Sequence, residues 1–196
     1  QPLVLAKLLT SLAVVSNGRV ALGAGLSPWK EDFTYNGMSY ERRGVLMDEC
    51  IAIIRGVMMG EYFEFHSENY DFGPLKLNPV PEKPVPILIG GHAAPALKRA
   101  ARIGDGWVSA NSDYESLAKL IAELDGYRKQ YGTADRKDFE VHVIDTHART
   151  VADFQRLEAL GATEAALIAW DPEVRDQQIQ VDAIRRFGDT VVAKYR

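Results

Sequence analysis

The apolar positions of this chain fall into alternating helical and strand-like runs. Leu5, Leu8, Leu9 and Leu12 recur at helical spacing. Pro2 stands at the start of that stretch, where its missing N–H costs nothing, and Asn17-Gly18 ends it. The pattern predicts a core helix over Leu3–Val15. Arg19–Ala24 follows, almost continuously apolar, as a parallel strand covered on both faces should be. A polar segment with Pro28, Trp29 and Gly37 is too irregular for one regular element. Leu46, Met47, Cys50, Ile51, Ile54, Val57 and Met58 then mark a helix of about five turns, closed by Gly60. Glu61–Gly73 alternates aromatic and polar residues, which predicts a small hairpin outside the main sheet. Five prolines between Pro74 and Pro86 keep the next stretch extended.

From there the alternation is regular. Ile87–Gly91 reads as a strand and Pro95–Ile103 as a helix ended by Gly104. Trp107–Ala110 is the next strand. Leu117, Leu120, Ile121, Leu124, Tyr127 and Tyr131 form one helical stripe, which runs straight through the Asp125-Gly126 pair. Phe139–Asp145 is a strand. Thr150 and Asp153 form a capping box for a helix that runs to Gly161. Ala165–Trp170 is a strand, and a final helix fills Gln177–Tyr195.

Five strands, each followed by a helix or a helical insertion, predict a parallel α/β architecture. An open doubly wound sheet and a closed eight-stranded barrel both satisfy that pattern. The chain opens on a helix with no strand before it. It therefore reads as the C-terminal part of a larger array, with about three strands missing from an eight-stranded barrel.

Composition narrows the picture little. Net charge is -4 over 196 residues, which argues against a basic face for nucleic acid or an anionic membrane. No stretch is apolar enough to span a bilayer, and Leu3–Val15 lacks the basic flank of a signal peptide. Mild acidity suits a cytoplasmic enzyme. The single cysteine, Cys50, excludes an internal disulfide. It shares a helical face with Met47, Ile51 and Ile54, so it reads as a buried small hydrophobe rather than a nucleophile.

In parallel β/α folds, chemistry sits at the C-terminal ends of the strands. That rule selects Gly23–Trp29, Gly90–Ala94, Ser109–Asp113, Asp145–Thr150 and Trp170–Glu173. The strongest of these is Gly90, Gly91, His92 and Ala93, between a strand and a helix. Two glycines let the backbone turn sharply and approach a ligand, and the N–H groups of the next helix favour an anion. A plain βα turn would use glycine too. The neighbouring strand end strengthens the anion reading, because Ser109, Ala110, Asn111 and Ser112 add small polar donors there. Gly23 and Gly25, with the flat face of Trp29, suit a planar ring. They match neither a dinucleotide fingerprint nor a P-loop. His66, His92, His142 and His147 are scattered, and none pairs with another at metal-ligand spacing. Glu140 and His142 share one strand face and read as an interior network. His147 lies near the mouth.

Several segments together resemble the luciferase-like monooxygenases. They are Arg19–Gly25, Trp29 with Glu31–Phe33, Tyr40–Arg43, Asn69–Phe72, Pro84–Gly91 and Ala100–Trp107. Their order matches the family's flavin- and F420-dependent branch. The resemblance implies an eight-stranded barrel with insertions at about 26–39 and 60–86, forming one domain over 1–196 that is incomplete at its N-terminus. It implies F420 or FMN as cofactor, with the phosphate on Gly90, Gly91, His92 and Ala93, helped by Ser109, Ala110 and Asn111. Gly25 and Leu26, with Trp29, would lie beside the ring. Some F420 enzymes of the family carry an acid next to that glycine; Leu26 stands there in this chain. The resulting expectation is an F420- or FMN-dependent oxidoreductase or monooxygenase, cytoplasmic and homodimeric, acting on a small organic substrate. A flavin-binding barrel without turnover, and an unrelated phosphate-binding isomerase or lyase, are the alternatives.

Overall fold

A computed structural model describes residues 1–144 and 147–195. The chain packs as two compact units, Gln1–Ile87 and Leu88–Arg196.

The first unit begins with α1 (Pro2–Val15), which packs on α3 (Arg43–Met58). The buried face of α1 is Pro2, Ala6, Leu9, Thr10 and Ala13, while Leu5, Leu8 and Leu12 are exposed. Of the leucine stripe, Leu9 faces the core of this unit and the other three do not. Ala6 and Ala13 are small enough to let α3 approach closely, and large side chains at those positions would hold it off. Asn17 and Gly18 end the helix in the left-handed region, with the Gly18 N–H on the Ala13 carbonyl at 2.8 Å. Strand β1 is confined to Leu22–Ala24, shorter than the apolar run, with the Leu22 N–H on the Pro86 carbonyl at 2.8 Å. A single helical turn, α2 (Glu31–Thr34), stands inside the segment read as irregular. Ile51, Ile53, Ile54, Val57 and Met58 of α3 are buried. The expected hairpin is present: β2 (Phe63–His66) pairs antiparallel with β3 (Asp71–Leu75), with Phe65 opposite Phe72. The Phe63, Phe65 and Phe72 rings lie 6.2–6.3 Å apart.

The second unit is a parallel α/β layer. Its strands are β4 (Ile87–Gly90, whose first residue closes the first unit), β5 (Gly106–Ala110), β6 (Glu140–Ile144) and β7 (Glu164–Ala166). The register sets Leu88 beside Gly106, Gly106 beside Glu140 and His142 beside Glu164. Helices α4 (Ala94–Ile103), α5 (Tyr114–Gln130), α6 (Val151–Ala159) and α7 (Gln177–Phe187) follow these strands in turn. Leu88, Ile89, Leu97, Ala100, Trp107, Leu117, Leu124, Val141, Val143 and Leu157 make its core. Helix α5 runs through Asp125-Gly126, and Thr150 and Asp153 form the full capping box. Two boundaries differ from expectation. Strand β7 stops at Ala166, which pairs with Ile144 of β6. The last helix is not uniform: α7 gives way to a π-helical turn at Gly188–Val192 and then α8 (Ala193–Tyr195). No helix among the described residues is long and apolar enough to cross a membrane.

Candidate anion site at the end of β4

The turn out of β4 is built by exclusion. Gly91 has φ 123°, and a Cβ there would lie 3.0 Å from the Ala96 Cβ. Only glycine enters this conformation without strain. The chain then passes through Ala93, the N-cap of α4, which is extended and has no capping side chain. The Ala93 carbonyl takes the N–H groups of Ala96 and Leu97 at 2.8 and 3.2 Å. Among the described residues, no acceptor in the chain meets the N–H of His92, Ala93 or Ala94. Pro95 has no N–H to offer. A helix start with open donors and the positive end of the dipole is suited to an anion.

Strand β5 fixes this turn from the side. Trp107 is fully buried, and its indole N–H donates to the Gly91 carbonyl at 2.8 Å. His92 Nε2 lies 3.1 Å from the Ser109 hydroxyl and receives the Ala110 N–H at 3.3 Å. Ser109 is fully buried, and its hydroxyl also meets that of Ser112 at 2.8 Å. Asn111 sits in the left-handed region at φ 56°, where asparagine is tolerated, and its N–H reaches the Ile144 carbonyl at 3.2 Å. Asp113 caps α5. The Ser116 N–H and then its hydroxyl hold the Asp113 carboxyl below the ordinary aspartate range. The structure thus brings Gly90, Gly91, His92 and Ala93 together with Ser109, Ala110 and Asn111. The Trp107 contact was not anticipated. Its signal was a tryptophan on the strand beside a Gly-Gly turn, with a polar N–H that burial obliges to find an acceptor.

Gly25, Leu26 and Trp29 belong to the first unit, just past the end of β1. Gly25 is exposed and Leu26 half-buried. Trp29 is 67% exposed, so it does not pack beneath the insertion. Its N–H donates to the Ser27 hydroxyl at 3.1 Å, Ser27 pairs with the Asp32 carboxylate, and the Tyr40 hydroxyl donates to the Pro28 carbonyl at 3.1 Å.

The remaining candidates separate. Glu140 and His142 pair at 2.7 Å on one face of β6, the network their shared face implied. His147 is exposed. Asp145 and Thr146, part of another strand end, lie outside the described residues. Cys50 is half-buried, and burial pushes its thiol up, away from a nucleophilic thiolate. Among the described residues, no group of three or more His, Cys, Asp or Glu is placed to hold a metal. Trp170 lines an apolar cavity of about 600 Å³ with Phe154, Phe187, Val191 and Tyr195. That volume suits a small ligand. The cavity shares no residue with the turn after β4 and offers few convergent polar groups, so the anion site carries more chemical information.

Known proteins resemble this chain over most of its length. The family described as luciferase-like monooxygenase matches residues 1–183. An uncharacterized protein of Mycobacterium tuberculosis strain H37Rv is 40% identical over 198 residues, covering 98% of this chain and 68% of the relative. The F420-dependent hydroxymycolic acid dehydrogenase of the same strain is 32% identical over 123 residues, covering 62% of this chain and 34% of its own length. Among solved structures, monooxygenase RslO1 from Streptomyces bottropensis superposes with a TM-score of 0.82 at 17% identity, covering 100% of this chain and 75% of its own. The fold is α/β, and the chain carries about five C-terminal βα units of a (β/α)8 barrel. With a match spanning the β4 turn and nearly the whole chain around it, this protein belongs to the luciferase-like monooxygenase family.

Proposed function

We propose that this chain holds F420 or FMN for an oxidoreductase that acts on a small organic substrate, by hydride transfer or as a monooxygenase. The observation that carries the reading is the open set of N–H donors on His92, Ala93 and Ala94 beyond a turn that only Gly91 can make. The donor set fits a phosphate group, and the turn that presents it needs glycine because a Cβ on Gly91 would press on the Ala96 Cβ. A relative named for F420 supports the cofactor class, and the family description supports oxygen chemistry. When bound, the cofactor supplies the hydride or reacts with oxygen. The chain's own contribution is narrower. His92, Ala93 and Ala94 hold the phosphate, Trp107 keeps the turn in place, and Asn111 shapes the adjoining strand end. For Gly25, Leu26 and Trp29 the proposal of cofactor contact rests on the resemblance alone. The same reading treats residues 1–196 as one barrel domain of a cytoplasmic homodimer; sedimentation of the purified protein tests the dimer.

Titration with FMN and with F420, followed by cofactor fluorescence, is the test. At least one should bind with a Kd below about 100 μM, which corresponds to about 5–6 kcal/mol. Gly91→Asp should weaken that binding by about 1–2 kcal/mol beyond any effect of Gly91→Ala. The alanine variant carries the same strained φ without the carboxylate, so the difference isolates charge. Absence of binding by both cofactors overturns the reading, and equal affinities for the two variants remove the phosphate from this turn.

A further inference from the structure

The tautomer of His92 follows from one contact. Its Nε2 lies 3.3 Å from the Ala110 backbone nitrogen and 3.1 Å from the Ser109 hydroxyl. A hydroxyl can donate or accept, so Ser109 alone would leave the ring undecided. A backbone N–H only donates. Nε2 must therefore be the bare nitrogen, and the proton of the neutral ring sits on Nδ1. Among the described residues, Nδ1 has no partner in the chain, and His92 is exposed. The ring is also held edge-on to Trp107, with centroids 6.1 Å apart. Trp107 in turn is tied to the Gly91 carbonyl at 2.8 Å. One buried residue thus braces both the turn and the side chain that follows it.

We propose that His92 is a preset donor of the anion site: Ser109 and Ala110 occupy Nε2, and the Nδ1–H is left for an oxygen of a phosphate group. This rests on the reading of the β4 turn as a phosphate holder. Ser109 then acts as a positioning residue. Buried and engaged by His92 and Ser112, its hydroxyl reaches the ligand only through the imidazole. The donor is neutral and directional, unlike a lysine or arginine, and adds a side-chain bond to a site otherwise made of backbone N–H groups.

The tautomer can be read directly by 15N-edited NMR of the histidine side chains, assigned by comparison with His92→Asn. The expected spectrum shows the proton on Nδ1, and saturating FMN or F420 shifts that nitrogen and slows the exchange of its proton. A proton on Nε2, or an Nδ1 signal unmoved by a cofactor that fluorescence shows to be bound, overturns the role of His92 while leaving the phosphate reading in place. Loss of cofactor binding in the parent chain overturns both. Two substitutions give a second readout. Asparagine places an amide nitrogen near the Nδ1 position, whereas glutamine places its polar end near Nε2. His92→Gln should raise the Kd roughly tenfold, the scale of one lost hydrogen bond, and His92→Asn should raise it much less. The reverse order, or equal losses, removes the Nδ1 donor from the site. In Ser109→Ala the Ala110 N–H should still fix the proton on Nδ1, while the Nε2 signal shifts and the Kd rises severalfold on chains whose thermal unfolding remains cooperative; an unchanged Nε2 signal and Kd there remove Ser109 from its positioning role.

Discussion

The two glycine-bearing strand ends of this molecule are built in opposite ways. After β4, the protein itself enforces the turn. Gly91 is left-handed, Ala96 closes the space where a Cβ would go, and a buried indole holds the carbonyl. After β1, nothing comparable operates. Among the described residues, a Cβ on Gly23 or Gly25 would meet no atom within 4 Å, and the nearby Trp29 is exposed. Glycine content is the same in both places, but its meaning is not. At one end glycine is a requirement of packing; at the other its absence of a side chain serves nothing that the chain packs.

That contrast can be broken or sharpened by substitution, beginning with the largest effect. Gly106 lies one residue before Trp107 on β5, and a Cβ there would come within 2.5 Å of both the Glu140 carbonyl oxygen and Leu88 Cδ2. Backbone cannot move aside without parting the β5–β6 ladder. Gly106→Ala should therefore cost about 3 kcal/mol or more in urea unfolding. A loss under about 1 kcal/mol would mean that the second unit yields more easily than its register implies. Trp107→Phe keeps the aromatic bulk but leaves the Gly91 carbonyl without its donor. It should cost about 1–3 kcal/mol and weaken cofactor binding together with stability. Intact binding in a destabilised variant would separate the brace from the site.

Thr150→Ala should cost about 1 kcal/mol by opening the cap of α6, a reference value for a local change remote in sequence from both glycine turns. Its pH dependence has a definite sign. The Arg149 N–H, then the Thr150 hydroxyl and N–H, hold the Asp153 carboxyl below the ordinary aspartate range. A folded-state value below the unfolded one gives stability that is present above the unfolded value, near 3.9, and is lost as pH falls through the folded value. The gap between Thr150→Ala and the parent should stay constant at neutral pH and narrow below about pH 4. The smallest effect belongs to the β1 end. Gly25→Ala should change stability by less than about 0.5 kcal/mol, because the new methyl meets nothing. If the same variant weakens cofactor binding severalfold, the cofactor supplies the close contact that the protein lacks there.

Much of this was legible in sequence because burial and periodicity go together. The apolar runs at Ile87–Gly90 and Gly106–Ala110 are strands since both faces are covered, and Asp125-Gly126 stays helical since Leu117, Ile121 and Leu124 anchor α5 up to it and Tyr127 and Arg128 are half-buried just beyond it. Periodicity could not show that α1 buries Ala6, Leu9 and Ala13 and leaves Leu5, Leu8 and Leu12 exposed, because an apolar helix offers more than one face that a neighbour could cover. Nor could it show that β7 would stop at Ala166, since Leu167–Trp170 continue the apolar run without a break in pattern. The π turn at Gly188–Val192 changes hydrogen-bond partners without changing the apolar pattern enough to read. At the candidate site, Gly90, Gly91 and the small residues of β5 were visible as residue types at strand ends. The His92–Ala110 bond and the Trp107 brace were not, because side-chain direction depends on strand register.

The buried Trp107 also equips the molecule with an optical sensor. Of the three tryptophans, Trp29 stands in solvent, Trp170 is half-buried, and Trp107 is sealed with its N–H on the turn that follows β4. A dissolved collisional quencher will extinguish Trp29 and spare Trp107. The emission that survives comes chiefly from the interior of the second unit, and its colour and lifetime report the hydrogen bond to Gly91. Any occupant that tightens or loosens that turn will register in the surviving light, with no label attached.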